Sequence, residues 1–237
     1  MRAVILAGGK GSRLRPFTFS IPKPLVPIGD VPIVEILLRQ LKRQGFSKVT
    51  MSVGYLASLI RAYCGDGARW DLSIEYLEES EPLGTIGCLA ILDDLDDADR
   101  VLLINGDTLT DMSFSDAFAA HHDGDAITLC ANRRSVRVDF GVLDVGDQGY
   151  LAAYTEKPTL NYRVSMGVNV VSAWAIGKFL RRGEAIDVPE FVERAREAGA
   201  GVRVLDVDAY WLDLGRLQDL EKGDALLRAH RERFLPA

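Results

Sequence analysis

Cysteine and histidine are scarce in this chain, and their scarcity limits the chemistry that it can perform. The 237 residues include three cysteines and three histidines. Cys64, Cys88 and Cys130 lie far apart and form no CxxC or Cys/His spacing, so we expect reduced, buried thiols and no zinc site. Carboxylates and cationic side chains remain as the main carriers of function.

The sequence also lacks a long apolar run and a large excess of charge of one sign. The first apolar residues run into Gly8 and Gly9 too soon for a signal peptide, and no stretch is long enough to cross a bilayer. A formal charge of −6 argues against nucleic acid as a partner, but a few cations in one cleft can still hold a phosphorylated ligand. We expect a cytoplasmic protein without membrane or nucleic-acid partners. Whether it is a monomer or a homodimer stays open.

The first half of the chain alternates between strand and helix patterns. Strands are predicted at 2–6, 48–53, 72–77 and 101–105, of which 2–6 and 101–105 are apolar runs. Helices are predicted at 32–44, where apolar residues have helical spacing, and at 56–63 and 85–92. This alternation predicts an α/β fold, a Rossmann-like three-layer sandwich with a mostly parallel central sheet.

The second half begins with extended segments and returns to helices. Strands are predicted at 126–131, 140–145, 150–155 and 164–171, followed by a helix at 187–198, a strand at 201–207 and a helix at 217–231. We predict a single domain with two halves, at about 1–125 and 126–237. His121 and His122 are interpreted as a polar helix end.

A glycine-rich loop follows the first strand. Its three glycines, Gly8, Gly9 and Gly11, can adopt positive φ and bring backbone N–H groups close to an anion. A Walker A loop would need Ser or Thr where Gly11 stands, and a dinucleotide fingerprint would need glycine where Leu14 stands. The loop therefore predicts phosphate binding of another kind.

Residues 6–18, followed by Pro22-Lys23-Pro24-Leu25-Val26-Pro27, closely resemble the signature of the sugar-1-phosphate nucleotidyltransferases. The resemblance implies that the loop backbone wraps a nucleoside triphosphate while Arg13 and Lys23 contact its phosphates. The segment from Glu81 to Gly87 is similar to the family's Pro-Leu-Gly-Thr-x-Gly loop, which closes over base and ribose. The implied nucleotide-binding residues are Leu6, Ala7, Gly8, Gly9, Gly11, Ser12, Arg13, Glu79, Pro82, Gly84 and Thr85.

Two aspartates are candidates for a metal site. Asp107 follows an apolar strand, and ligands of parallel sheets bind beyond the carboxyl ends of strands. Mg²⁺ prefers one or two protein carboxylates, and Asp213, in Trp211-Leu212-Asp213-Leu214-Gly215, is the second candidate. The resemblance implies Mg²⁺ as the cofactor on this pair. The implied catalytic residues are Arg13, Lys23, Asp107 and Asp213.

Elements of the second half resemble the family's sugar site. Glu156 and Lys157 match a Glu-Lys-Pro element that binds sugar hydroxyls and phosphate, and Gly141 matches a glycine that the sugar approaches. Asn169 ends a further matching strand, at a position where the family often has an aromatic residue. The resemblance therefore implies that the half at about 126–237 binds the sugar phosphate and that the half at about 1–125 binds the nucleotide. The resemblance ends near residue 220, and no left-handed β-helix extension is expected.

The resemblance implies transfer of a nucleotidyl group from a nucleoside triphosphate to a sugar 1-phosphate, with release of pyrophosphate. A sugar phosphate has a second pKa of about 6 and is largely ionised, so no general base is required. Glu78 and Glu79 stand where pyrimidine-specific relatives often have Gln. A carboxylate can accept hydrogen bonds from the N–H groups of guanine, which slightly favours GTP as the nucleotide. The local sequence also resembles that of the mannose- and heptose-1-phosphate guanylyltransferases.

Several alternatives stay open at this stage. The base could be that of UTP, dTTP, ATP or CTP, and the sugar could be a hexose, a heptose or a cyclitol. A phosphocholine-type cytidylyltransferase shares similar motifs. A non-catalytic regulatory subunit that binds sugar nucleotides is a further alternative, although such a subunit would usually have lost Lys23 or one of the two aspartates.

Overall fold

The computed structural model describes residues 1–235, and its strands occur in both halves of the chain. The strands are β1 (Arg2–Leu6), β2 (Pro27–Ile28), β3 (Val31–Pro32), β4 (Lys48–Val53), β5 (Ser73–Glu78), β6 (Arg100–Asn105), β7 (Thr108–Thr110), β8 (Asp125–Arg137), β9 (Val142–Val145), β10 (Leu151–Thr155), β11 (Thr159–Ser172), β12 (Gly201–Asp206) and β13 (Trp211–Asp213).

The helices lie between these strands. They are α1 (Ile33–Arg43), α2 (Ala57–Cys64), α3 (Phe114–Ala119), α4 (Ala173–Phe179), α5 (Val188–Glu197), α6 (Leu217–Ala229) and α7 (Arg231–Phe234). Short 3₁₀ turns include Ser12–Leu14, Lys23–Leu25 and Gly87–Ile91. Among residues 1–235, no helix combines the length and the apolar character that crossing a membrane requires.

Seven strands form the central sheet, in the order β12-β8-β11-β6-β1-β4-β5. β1 pairs in parallel with β4 and β6, β4 with β5, and β12 with β8. β11 runs antiparallel to both of its neighbours, β6 and β8. The predicted α/β fold with a mostly parallel central sheet is confirmed.

Alternate residues of β1 pack into different layers, because successive side chains of a strand point to opposite faces. Ala3 and Ile5 join the apolar cluster that includes Leu37 of α1 and Ile60 of α2. Val4 joins the opposite cluster with residues of α4 and α5, such as Phe191. The sheet is therefore covered on both faces, as the three-layer prediction requires.

The predicted helix at 85–92 is wrong. The chain forms only the 3₁₀ turn Gly87–Ile91. The backbone N–H groups of Ile86 and Gly87 both donate to the carbonyl of Ile186, at 3.2 and 3.3 Å, and a Cβ on Gly87 would lie 2.4 Å from the carbonyl oxygen of Glu184. The segment at 184–186 therefore packs tightly on the start of this turn, a tertiary contact that the local pattern does not encode.

His121 and the exposed His122 follow the end of α3, as the interpretation of a helix end requires, but His121 is not a polar surface residue. The side chain is buried, with Nδ1 2.9 Å from Thr128 Oγ1 and Nε2 2.7 Å from Ser172 Oγ. Because the Ser172 hydroxyl donates to the carbonyl of Asp125, it accepts from Nε2–H, and Nδ1 accepts from Thr128. This pairing suits a neutral ring, and burial lowers the pKa of His121 to about 4.

This burial predicts an acid-sensitive contribution to stability. In the unfolded chain the His121 pKa is about 6.5, so unfolding takes up a proton as the pH falls from about 6.5 towards 4, and stability decreases over that range. Between about pH 7.5 and 5 we expect the wild type to lose about 2 kcal/mol more than His121→Gln, whose side chain does not titrate. Urea unfolding at both pH values measures this. Equal losses in the two proteins would contradict it.

Candidate active site

The parallel strands β1, β4 and β6 end at one edge of the sheet. Leu6 stands opposite Ser52 of β4 and Asn105 of β6. A cavity of about 910 Å³ opens beyond this edge, between the glycine loop and the segment that follows β5. Residues from the predicted set that line it are Leu6, Ala7, Gly8, Gly9, Lys23, Glu79, Pro82, Gly84, Thr85 and Asp107.

The glycines of the loop have different surroundings. Nothing lies within 4 Å of a Cβ built on Gly9, so its backbone is open. Gly11 has a φ of +57°, and a Cβ there would lie 2.9 Å from Thr18 Cγ2 and 3.3 Å from Lys23 Cβ. The Thr18 hydroxyl also donates to the Gly11 carbonyl at 2.8 Å. Gly11 therefore anchors the loop against the protein, and Gly11, Ser12 and Arg13 do not line the cavity.

The two candidate metal ligands are brought together by the short strands β7 and β13. These strands pair antiparallel with Thr108 opposite Asp213, and the Leu214 N–H donates to the Asp107 carbonyl at 3.1 Å. Lys23 Nζ donates to the Asp107 carboxylate and lies 3.8 Å from Asp213 Oδ1. One ammonium group thus stands next to both carboxylates.

The electrostatics of this pair favour a cation. Burial, and then the charge of Asp107, raise the pKa of Asp213, while Lys23 and Arg13 oppose the shift. The Arg13 guanidinium also lies against Gly215, since a Cβ there would be 3.2 Å from its Cζ. Among residues 1–235 no group of three or more His, Cys, Asp or Glu side chains could hold a metal ion. Two carboxylates suit Mg²⁺ that shares its remaining positions with substrate oxygens and water.

A second cavity of about 240 Å³ adjoins the first, because both are lined by Thr85, Asn105 and Asp107. β11 forms its far wall, and its register against β8 shifts between Ser165 and Asn169. The other residues that line it are Thr108, Ser165, Met166, Gly167, Asn169, Val188, Trp211 and Asp213.

The wall of the second cavity needs a glycine. Gly167 has a φ of +68°, and a Cβ on it would lie only 2.4 Å from Asn105 Nδ2. The Trp211 indole N–H donates to the Met166 carbonyl at 2.8 Å. A glycine and an indole therefore fix the irregular part of β11 against Asn105 and Trp211.

Three of the four predicted sugar-phosphate residues lie elsewhere. Asn169 lines the second cavity, but Gly141, Glu156 and Lys157 line neither cavity. They flank the hairpin of β9 and β10, which pair with each other outside the central sheet. Glu156 and Lys157 are exposed, 3.8 Å apart.

Sequence reasoning missed several residues of the site. Gly54 packs on the glycine loop, where a Cβ would lie 3.3 Å from the Gly8 carbonyl oxygen, and Tyr55 donates to that oxygen at 3.2 Å. Asn105 and Trp211 form walls of the second cavity. Gly54 could have been found, because it directly follows a strand at the ligand-binding edge of a parallel sheet.

Comparison with known proteins identifies related sequences. The profile of the family described as nucleotidyl transferase matches residues 2–229. A mannose-1-phosphate guanylyltransferase of Mycobacterium tuberculosis is 32% identical over 94% of this chain. A glucose-1-phosphate thymidylyltransferase of Streptomyces griseus is 32% identical over 93%, and a UTP–glucose-1-phosphate uridylyltransferase of Synechocystis is 28% identical over 92%. The chain spans 61–64% of the length of these curated relatives.

Solved structures share the fold. A Bacillus anthracis protein described as a glucose-1-phosphate thymidylyltransferase, in complex with sucrose, aligns with a TM-score of 0.75 at 21% identity and covers 96% of both chains. HddC of Yersinia pseudotuberculosis, complexed with GMP-PN, aligns with a TM-score of 0.70 at 24% identity and covers 95% of this chain and 99% of its own. Both likenesses support the α/β architecture described above.

The glycine loop provides a matched pair of substitutions. We expect Gly11→Ala to destabilise the protein by about 1–3 kcal/mol, because its Cβ would collide with Thr18 and its backbone has positive φ. Gly9→Ala, two residues away, meets no protein atom and should leave the apo protein as stable as the wild type. Thermal and urea unfolding of the three proteins measure this. A Gly9→Ala variant as unstable as Gly11→Ala would show that the loop packs differently.

Proposed function

The chain belongs to the nucleotidyl transferase family, and from this premise we propose that it joins a nucleoside triphosphate to a sugar 1-phosphate and releases pyrophosphate. The observation that carries the proposal is the junction of the two cavities. There, Lys23 and the carboxylates of Asp107 and Asp213 lie between a glycine-loop cavity and a smaller polar one. Two substrates bound on either side would meet at these three side chains.

The larger cavity is suited to the nucleotide. Its volume of about 910 Å³ lies within the usual range of ligand pockets, about 300–1,000 Å³. The open backbone of Gly9 can approach phosphate oxygens, and the side chains of Lys10 and Lys23 bring positive charge to the same wall. Arg13 adds positive charge near Asp213.

The proposed reaction depends on positioning and charge neutralisation. An oxygen of the sugar phosphate attacks the α-phosphorus, the bond from that phosphorus to the bridging oxygen breaks, and pyrophosphate leaves with the electron pair. The attacking phosphate is largely ionised near neutral pH, so no side chain has to remove a proton. Lys23 would stabilise charge on the α-phosphate. A divalent cation held by Asp107 and Asp213 would neutralise phosphate oxygens.

We propose GTP as the preferred nucleotide, and Glu79 as the residue that supports this preference. Glu78 pairs with Arg61 at 3.0 Å and does not line the cavity, whereas Glu79 does. The Glu79 oxygens accept from the Ser52 hydroxyl and the Leu83 N–H. Each carboxylate oxygen has a further lone pair, and guanine offers two N–H donors. The related guanylyltransferase agrees with this choice, while the uridylyl- and thymidylyltransferases keep UTP and dTTP as alternatives.

The paired carboxylates give the first test of the reaction. With Mg²⁺, a nucleoside triphosphate and a sugar 1-phosphate, Asp107→Asn should lower the rate of pyrophosphate release about 10²–10³-fold, because charge stabilisation at the junction is lost. EDTA should abolish release by the wild type. Asp144→Asn, the same change on exposed β9, serves as the control and should keep the full rate. Near-normal turnover by Asp107→Asn would refute the assignment of the metal site.

The nucleotide preference has its own test. A panel of ATP, CTP, GTP, UTP and dTTP should give the highest kcat/KM with GTP, and Glu79→Gln should reduce the preference for GTP about 10-fold or more, because one acceptor becomes a donor. Glu78→Gln makes the same change next to it, outside the cavity, and should leave the preference intact. A Glu79→Gln enzyme with the wild-type ranking of nucleotides would remove Glu79 from base selection.

A further inference from the structure

A buried carboxylate follows β7 at the end opposite to Asp107. β7 ends at Thr110, and the side chain of the next residue, Asp111, is only 1% exposed. Its Oδ1 accepts a hydrogen bond from the backbone N–H of Tyr210 at 2.8 Å, and Arg233 of α7 lies 2.6 Å from its Oδ2. Asp111 lines neither cavity, so it is placed to hold the protein rather than a substrate.

Tyr210 is held at both of its backbone groups. Its carbonyl accepts from the Thr110 hydroxyl at 2.7 Å and from the Asp111 N–H at 3.4 Å, while its own N–H is bound to the Asp111 carboxylate. Gln40 of α1 in turn donates to the Thr110 carbonyl at 2.8 Å. The residue that directly precedes β13 is therefore anchored, through the end of β7, to a helix that covers the central sheet.

This anchor is important because β7 and β13 form a two-stranded sheet apart from the central one. Two-stranded pairs are marginally stable on their own in water. Asp213 comes three residues after Tyr210, about 10 Å along the strand, and has to stay beside the like charge of Asp107. If the start of β13 were free to slide, repulsion between the carboxylates would move them apart.

We propose that Asp111 is a positioning residue, which sets the affinity of the Asp107–Asp213 pair for a divalent cation by anchoring the start of β13 through Tyr210. The inference rests on the proposed function, because the cation is that of the proposed reaction. Groups that orient metal ligands without touching the metal typically change metal affinity 10–100-fold when they are removed. No residue of β13 lines the larger cavity, so nucleotide binding there should not depend on Asp111.

The first measurement is the Mg²⁺ concentration that gives half-maximal pyrophosphate release. In Asp111→Leu, which is similar in size but has no acceptor, this concentration should rise about 10–100-fold. Excess Mg²⁺ should restore kcat to within about threefold of the wild type, and the KM for the nucleotide should stay within about twofold. Asp111→Asn keeps an oxygen that accepts from Tyr210, so its Mg²⁺ requirement should stay within about threefold of the wild type.

The second measurement needs no turnover. Mn²⁺ is titrated into each protein without substrates, and binding is followed by the loss of the electron paramagnetic resonance signal of the free ion. The dissociation constant for Mn²⁺ should increase in Asp111→Leu by about the same 10–100-fold factor. A defect in metal binding is thus measured separately from any defect in chemistry.

A matched control separates positioning from a general loss of stability. Asp125 is a second buried carboxylate, 9% exposed, which pairs with Arg203 and accepts from the His122 N–H at 3.2 Å, and it lines neither cavity. Asp125→Leu should lower Tm about as much as Asp111→Leu does, since each leaves an arginine and a backbone N–H without their acceptor. Its requirement for Mg²⁺ should equal that of the wild type.

A further variant tests the same anchor if Asp111→Leu does not fold. Thr110→Val keeps the branched shape of the side chain but lacks the hydroxyl that donates to the Tyr210 carbonyl. It should raise the Mg²⁺ requirement about 3–10-fold, because one of the bonds to Tyr210 is lost. A folded Thr110→Val enzyme with the wild-type requirement would show that β13 does not need this anchor.

The outcomes are distinguishable. An Asp111→Leu enzyme with the wild-type requirement for Mg²⁺ would overturn the role of Asp111, and so would an Asp125→Leu enzyme in which this requirement rises equally. If Asp111→Asn is as weak as Asp111→Leu, the hydrogen bond to Tyr210 is not the cause. If the wild type releases no pyrophosphate with any pair of substrates, the proposed function fails. The Mn²⁺ titrations then decide the role of Asp111: equal affinities, or no binding to the wild type, refute it.

Discussion

Two carboxylates of like charge, those of Asp107 and Asp213, stand next to each other because backbone pairing holds them there. The antiparallel pair β7–β13 sets Thr108 opposite Asp213, and the Leu214 N–H donates a hydrogen bond to the Asp107 carbonyl. Burial and then the charge of Asp107 raise the pKa of Asp213, so this pairing has to overcome both desolvation and repulsion. Lys23 relieves part of the repulsion, and a divalent cation with substrate phosphates would relieve more of it.

The same junction depends on close backbone contacts at the edge of the sheet. The Gly106 N–H donates to the Leu6 carbonyl at 2.9 Å, and a Cβ on Gly106 would lie 2.5 Å from that oxygen. On the opposite side, Gly167 lets β11 approach Asn105. These glycines let β1, β6 and β11 approach one another around Asn105, a residue that lines both cavities.

The parts of the fold that sequence reasoning predicted well are those that local pattern determines. Buried parallel strands such as β6 contain continuous apolar runs, and the predicted bounds of β6 agree with the structure to within one residue. The glycine loop and Asp107 follow such strands, so their place at the ligand edge followed from topology. The pairing of β7 with β13 could not be predicted, because three-residue strands more than 90 positions apart leave no periodic signal.

The positions of the predicted sugar-phosphate residues were even harder to predict from the sequence. A motif such as Glu156-Lys157 indicates a role by resemblance, but it does not indicate where the motif lies in the structure. The residues of the hairpin formed by β9 and β10 line neither cavity. The position of this hairpin depends on contacts that the local sequence of the two strands does not encode. Asn169, in contrast, belongs to a strand that the central sheet fixes on both sides. Its side chain therefore has a defined place in the wall of the second cavity before any ligand binds. A preorganised wall of this kind loses little entropy when a ligand binds, so the residues of the central sheet could be located from the structure more firmly than those of the hairpin.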